Sequence, residues 1–448
     1  MTPTRAEQFE DGRDRRALIS HSAHGEWSQA PGRPDPIEVL LASNAGRLEE
    51  LIPIRFGRMA ASPFAFLRGG AAVMAADLSW VPTTGMEVQL SGDCHLMNFG
   101  LFATPERNVS FGLNDFDETL RGPWEWDVKR LVASLVVASQ DQGFDDSTAE
   151  SVAVAGARAY RHRMAELASM SPLEVYYDRI DMAELIEDSP NKKTRNRRKK
   201  MLRKAHRRVA DNLYPKLAEH AAGDLRIADQ PPLIFHADDV TPETVQGFFD
   251  NYRSSLPPDL QVLFDRYVLR DVAVKVVGVG SVGTRCYAVL FTDDDGNPLL
   301  LQVKEANNSV LAGYVPTRSK EMVHNGERVV TGQQLLQAVS DIFLGYSTSP
   351  AGRDFYVRQL RDMKLSVDLA DDEERMTRYA EYCGMALARA HANTGSASAI
   401  TGYLGNSDTA DKSFGRFGLA YAVQTVQDHR ALVDAIDKER VPAHFETD

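Results

Sequence analysis

The period of the apolar positions changes several times along the chain, and each period predicts an element. Val128, Leu131, Val132, Leu135 and Val136 recur at helical spacing and predict a helix over 126–143 with one buried stripe. Val272, Val274 and Val276 alternate, CYAVLFT follows at 286–292, and Leu299, Leu301 and Val303 alternate again after the turn-forming DDDGN of Asp293–Asn297. This is the pattern of strands joined by a hairpin over 271–304. Between 88 and 117 short apolar stretches alternate with polar turns, as in short strands feeding loops. Asp35, Pro36 and Glu38 give a cap, a first-turn proline and a capping-box acid, and so start a helix over 37–51. Further helices are expected over 327–343, 373–392 and 418–436, with a short strand over 355–360. Residues 150–260 read as helices joined by loops, and residues 1–34, rich in Arg, Gly and Pro, as an irregular arm. The mixture predicts an α/β (α+β) fold without internal repeats.

Composition narrows the function classes. The 448 residues are 43% hydrophobic and 25% charged, a globular balance with ample core. A formal net charge of −12 disfavours nucleic acid as a partner. Cys94, Cys286 and Cys383 stand far apart and suggest neither a disulfide framework nor a zinc site. The polar N-terminus does not read as a signal peptide, and the longest apolar run, around 131–139, is too short to span a bilayer. A cytoplasmic protein with no membrane partner is expected. Against the acidic background, Lys192–Arg208 holds eleven Lys and Arg residues, either a solvated helix face or a dock for an acidic partner.

Three constellations carry candidate chemistry. In Ser91-Gly92-Asp93-Cys94-His95-Leu96-Met97-Asn98, a carboxylate and an amide stand five positions apart. Phosphoryl transfer needs a carboxylate beside the attacking hydroxyl and an amide oxygen on a metal, and this spacing supplies both from one loop. The plain alternative is a Gly-Asp turn. Asn114-Asp115-Phe116-Asp117 ends an apolar strand and brings a metal-type carboxylate, Asp115, seventeen residues after Asn98; alone, it also reads as an acidic turn. Third, Gly278, Gly280, Ser281 and Gly283 lie in a glycine-rich loop between two predicted strands. A dinucleotide-binding reading requires a helix after such a loop. Strand, glycine loop and strand is instead an arrangement whose backbone N–H groups cover phosphates. The third strand ends in Lys304, on the face shared with Leu300 and Gln302, where it is placed to grip phosphates; otherwise it is a solvated strand lysine. Its acidic partner is expected to be Glu327, with Glu321 as the alternative.

GDCHLMN followed by NDFDETLRGPWEWDVKRL resembles the catalytic core of the aminoglycoside and choline phosphotransferase branch of the protein-kinase-like superfamily. Gly92, Asp93, His95, Asn98, Asp115, Gly122, Pro123 and Asp127 match that pattern, whereas Ser91 stands where the branch usually has His. RPDP, RFGRM, SPFAFLRG and ERVVTGQQLLQA also resemble a large uncharacterised bacterial family with kinase-like motifs. The resemblance implies ATP and Mg²⁺ as cofactors. It casts Asp93, His95 and Asn98 as catalytic-loop residues, Asn98, Asp115 and Asp117 as metal-binding, and the glycine loop, Lys304 and Glu327 as nucleotide-binding. Gln359 and Leu360 would form a hinge whose backbone holds adenine.

The order of these parts is unusual. The catalytic loop and Asp115 come first, and the glycine loop follows about 160 residues later. ALARAHANTG, which resembles the helix leading into a catalytic loop, runs instead toward the C-terminus. A circular permutation gives this order. The expected organisation is an arm over 1–34, a helical lobe over 35–261, a β-rich nucleotide lobe over 262–360 and the rest of the helical lobe over 361–448. The expected activity is transfer of the γ-phosphoryl group of Mg-ATP to a hydroxyl acceptor, a small molecule or a protein. Adenylyl transfer in the same cleft and a non-catalytic nucleotide-binding scaffold are the alternatives.

Overall fold

The structure, a computed structural model, describes residues 3–189, 191–206, 218–221, 224–231, 233–237, 240–276, 282–316, 323–360, 365–366 and 372–445. At its centre lies the helix Trp124–Asp141, buried from Trp124 through Ser139. The expected single stripe is therefore burial on every side, because helices Asp146–Ser169, Glu373–Ala392 and Thr409–Asp437 all pack against it. Even Lys129 lies inside. Its Nζ sits 4.5 Å from the centroid of the Phe417 ring. Burial lowers its pKa to about 8, Glu125 opposing.

An antiparallel sheet of six strands stands beside this helical body, in the order Gly345–Thr348, Asp354–Gln359, Pro298–Glu305, Cys286–Thr292, Val268–Lys275, Ile234–Phe235. Val272, Val289, Leu299, Leu301 and Val303 share one core with Phe248, Phe249 and Tyr252 of helix Pro242–Ser254. Ala273, Ala288, Leu290 and Leu300 pack on the other face. Strand alternation then puts Lys304 on the Leu300 face, opposite Cys286 and Tyr356 in register. The sheet also draws in residues upstream of 262: the strand at Ile234 and the helices Pro242–Ser254 and Pro258–Phe264.

Two smaller sheets fix the segment around Asp93. Glu87–Leu90 pairs with Leu120–Pro123, and Phe99–Ala103 pairs with Val109–Leu113. The loop 91–98 thus leaves one sheet and enters the other. The helix Glu373–Ala392 lies against the strand Val109–Leu113, so residues nearly 300 positions apart share one core.

Several sequence expectations are corrected. Residues 1–34 are not an irregular arm. Thr4 and Glu7 form a capping box that starts helix Arg5–Asp14, and its Gly12 lies so close to Ala399 that an added Cβ would meet that carbonyl oxygen at 1.8 Å. Arg33 is buried between Asp77 and Asp428, at 2.6 Å from each. Close backbone contact and buried ion pairs hold this segment, and neither leaves an apolar stripe to read. The helix expected over 37–51 stops at Ala42, and the chain turns through Gly46 at φ +82° before the next helix, Ile52–Ala60. The helix from Asn325 ends at Leu336, well short of 343. Strands Ala218–Ala221, Asp224–Ile227 and Ile234–Phe235 interrupt the region read as helices and loops.

Candidate functional site

The loop 91–98 is held from below by one carboxylate. Asp127, in the first turn of the central helix, accepts the N–H of Ser91 at 2.7 Å and of Gly92 at 3.0 Å. His391, near the end of helix Glu373–Ala392, places Nε2 3.3 Å from Asp127 Oδ2, and Tyr160 OH meets its Nδ1 at 2.9 Å. Tyr379 of the same helix donates to the carbonyl of Leu96 at 2.7 Å. Gly92 has φ +83°, and a Cβ there would lie 2.2 Å from the carbonyl oxygen of Glu118. Only glycine fits.

Asp93 follows at once. Its Oδ1 accepts from Arg130 Nε at 2.7 Å, and Arg130 is braced in turn on the carbonyl of Leu67 at 2.9 Å. Asn98 Nδ2 donates to the backbone carbonyl of Asp93 at 2.8 Å, which leaves its amide oxygen uncommitted to that bond. His95 is buried, and this lowers its pKa to about 3, with Arg130 and Arg68 adding repulsion that opposes the pull of Asp93. The ring is therefore neutral at pH 7. Its Nδ1 accepts from the N–H of Met97 at 3.2 Å, so the proton sits on Nε2, which faces Asp93 Oδ2 at 3.8 Å.

The sheet supplies the opposite wall. Lys304, 4% exposed, forms an ion pair with Asp117, and Tyr356 OH donates to the other oxygen of Asp117 at 2.8 Å. Burial alone would raise the pKa of Asp117, but Lys304, Tyr356 and Arg358 outweigh it and lower the value to about 2. Burial likewise opposes the charge on Lys304, yet Asp117, Tyr356 and Asp115 raise its pKa. Asp115 Oδ1 accepts from the N–H of Asp117 at 3.3 Å. Arg328 donates to the backbone carbonyls of Asp117 at 2.8 Å and Thr119 at 2.7 Å, fixing this turn.

These side chains converge. Asp93, His95, Asn98, Asp115, Asp117 and Lys304 all line one cavity of about 190 Å³. Asn98 and Asp115 bring hard oxygen donors to it, while Lys304 already balances the charge of Asp117; this set suits Mg²⁺, which takes one or two carboxylates and completes its shell from phosphate and water. Gln302 and Arg358 also line a second cavity of about 240 Å³, bordered by Gln359 and Leu360. The backbone N–H groups of those two residues are already engaged, by Asp341 and by the carbonyl of Leu300. Gln333 Oε1 is buried beside this second cavity without a hydrogen-bond partner among the described residues.

The carboxylate that meets Lys304 is Asp117, whereas Glu327 sits beside the Tyr346 phenol. Glu321 and Gly278, Gly280 and Ser281 lie outside the described residues. Gly283 is described, at φ +88°; its carbonyl accepts the N–H of Leu48, and Arg47 donates to the carbonyl of Val282 at 2.5 Å. Sequence reasoning assigned no side-chain role to Arg130, Arg47 or Arg55, nor to Tyr356 and Arg358, which it read only as part of the hinge strand. A signal was present for Arg130: it stands with Glu125, Asp127 and Lys129 in the first turns of a helix that is apolar beyond it.

The three cysteines are free and buried. No helix among the described residues is long and apolar enough to cross a membrane. Neither a curated protein nor a solved structure shows a significant match to the chain. Residues 47–435, most of the chain, match a family described as uncharacterised protein conserved in bacteria (DUF2252), and the protein belongs to that family.

Proposed function

We propose that this protein is a Mg²⁺-dependent phosphotransferase that moves the γ-phosphoryl group of ATP to a hydroxyl, on a circularly permuted kinase-like fold. One observation carries the reading. Lys304 and Asp117 are 187 residues apart and meet as an ion pair in a cavity also lined by Asp93, Asn98 and Asp115. The motif resemblance calls for Lys304 to share one cleft with Asp93, Asn98 and Asp115, which two unrelated domains would not produce.

Each side chain then has a task. Asp93, oriented by Arg130, accepts the proton of the acceptor hydroxyl as its oxygen bonds to the γ-phosphorus. The bond from that phosphorus to the bridging oxygen breaks, and ADP leaves with the electron pair. Asn98 and Asp115 would hold Mg²⁺, which when bound neutralises charge on the phosphate oxygens. Lys304 serves the phosphates, and Asp117 takes the partner role expected of Glu327. The cavity beside Gln359 would take adenine, with the amide of Gln333, rather than the engaged N–H groups of Gln359 and Leu360, as a polar contact.

Thermal unfolding with and without Mg-ATP tests the reading. The wild type gains stability by mass action, and Lys304→Ala loses most of that gain. Equal stabilisation of both sinks the assignment. ATP labelled at the α or the γ position then separates phosphoryl from adenylyl transfer by where label appears in the product.

A further inference from the structure

The cavity has a third wall, built from residues upstream of the phosphotransferase motifs. Arg55 of helix Ile52–Ala60 and Arg68 of helix Pro63–Gly69 line it together with Arg47. Elsewhere buried arginines are held by carboxylates or by sets of backbone carbonyls, as Arg328 is by those of Asp117, Thr119 and Asn307. Arg33 meets Asp77 and Asp428, Arg161 meets Asp411, and Arg389 is surrounded by three backbone carbonyls. Arg55 is 2% exposed, yet among the described residues its acceptors are only the amide oxygen of Asn44 and the carbonyl of Gly69, at 3.1 Å. Its Nε is buried without a partner among the described residues. The same holds for Nε of Arg68, whose guanidinium otherwise rests over the Phe64 ring at 5.9 Å.

Burying an arginine without a counter-charge costs several kcal/mol. The nearby carboxylates do not offset it. Asp93 is committed to Arg130 and Asp117 to Lys304. The remaining acids of the cavity, Asp115 and Glu118, accept the N–H groups of Asp117 and Val310, and neither forms an ion pair with Arg55 or Arg68 among the described residues. Two guanidinium groups facing one cavity, without carboxylates of their own, are a fitted receptor for an oxyanion, which they bind in paired hydrogen bonds.

We propose that Arg55 and Arg68, with Arg47 at the rim, bind an anionic group of the hydroxyl acceptor, so that the substrate is a small hydroxyl compound carrying a phosphate or carboxylate. The acceptor role rests on the phosphotransferase reading; the anion site rests on the arginines alone. Arg68 and Asp93 line the same cavity, so an acceptor anchored through its anion presents a hydroxyl to Asp93. The consequence is discrimination, because a neutral analogue leaves two buried guanidinium groups unpaired.

The test uses the full chain and inorganic phosphate as the probe, with acetate as the carboxylate arm and sodium chloride at equal ionic strength as the control. Phosphate or acetate raises the unfolding temperature of the wild type beyond the salt control, and Arg68→Ala loses at least half of the gain. Arg68→Gln serves as a milder variant and Arg55→Gln as the deeper one. The stronger arm identifies the anion. No stabilisation, or equal stabilisation of wild type and Arg68→Ala, overturns the site. A second titration is made with the non-hydrolysable analogue AMP-PNP and Mg²⁺ at saturation. Additive stabilisation supports an acceptor subsite. Loss of the phosphate effect, or loss of AMP-PNP affinity in Arg68→Ala, assigns the arginines to the nucleotide and overturns the proposal. If Mg-ATP does not bind but phosphate does, the phosphotransferase reading fails and the anion site stands.

Discussion

Replacing Asp127 with Ala removes the anchor of the Asp93 loop without touching the cavity. Asp127 is 1% exposed and accepts from two backbone N–H groups, with His391 as a third neighbour. Hydrogen bonds to a charged acceptor are worth about 1.5–3 kcal/mol each, so losing the two backbone bonds costs roughly 3–6 kcal/mol. The stranded N–H groups of Ser91 and Gly92 cannot recover water, because both residues are buried. That is a large share of the 5–15 kcal/mol typical of a folded domain. Urea unfolding followed by tryptophan fluorescence reads it directly, since Trp124 and Trp126 are buried in the same helix. Asp127→Asn keeps one acceptor oxygen and falls between Ala and wild type. At temperatures where the variant stays folded, ATP turnover drops by more than tenfold through misplacement of Asp93, while Mg-ATP stabilisation, carried by the Lys304 wall, persists. An Asp127→Ala protein within about 1 kcal/mol of the wild type would refute the anchoring argument.

Two further outcomes are expected. Asp115→Asn keeps the fold but weakens the Mg²⁺ dependence of ATP stabilisation; a Mg²⁺ titration of the thermal shift identical to that of the wild type removes Asp115 from the metal site. Burial lowers the pKa of His24 to about 3, with Lys129 and His21 adding repulsion. The unfolded chain therefore binds a proton at that residue between about pH 6.5 and 3 that the folded chain does not, and stability falls as pH drops through this window, at up to about 1.4 kcal/mol per pH unit. His24→Phe, stacked on Phe414 as His24 is, flattens that slope in urea unfolding measured from pH 7 to 4; an unchanged slope rejects the assignment.

Local rules made much of this protein legible in its sequence. The alternation at Leu299, Leu301 and Val303 placed Lys304 on the correct face, because strand geometry has period 2 whatever surrounds it. The helix over 373–392 was readable in full, and the spacing of Asp93 and Asn98 put both on one loop. Residue type and spacing are properties of short segments, and they survive without tertiary context. The tertiary structure decided what depends on distant partners. It chose Asp117 over Glu327 for Lys304, because the turn after Asp115 reaches the sheet while Glu327 faces Tyr346. It turned an apparently irregular N-terminus into a helix and a buried Arg33 clamp, because close glycine contacts and ion pairs leave no periodic apolar trace. It also left Arg55 and Arg68 beside a cavity with no carboxylate ion-paired to either among the described residues. Whether a buried charge is neutralised depends on side chains arriving from the whole chain, so a sequence shows the arginines but not their missing partners.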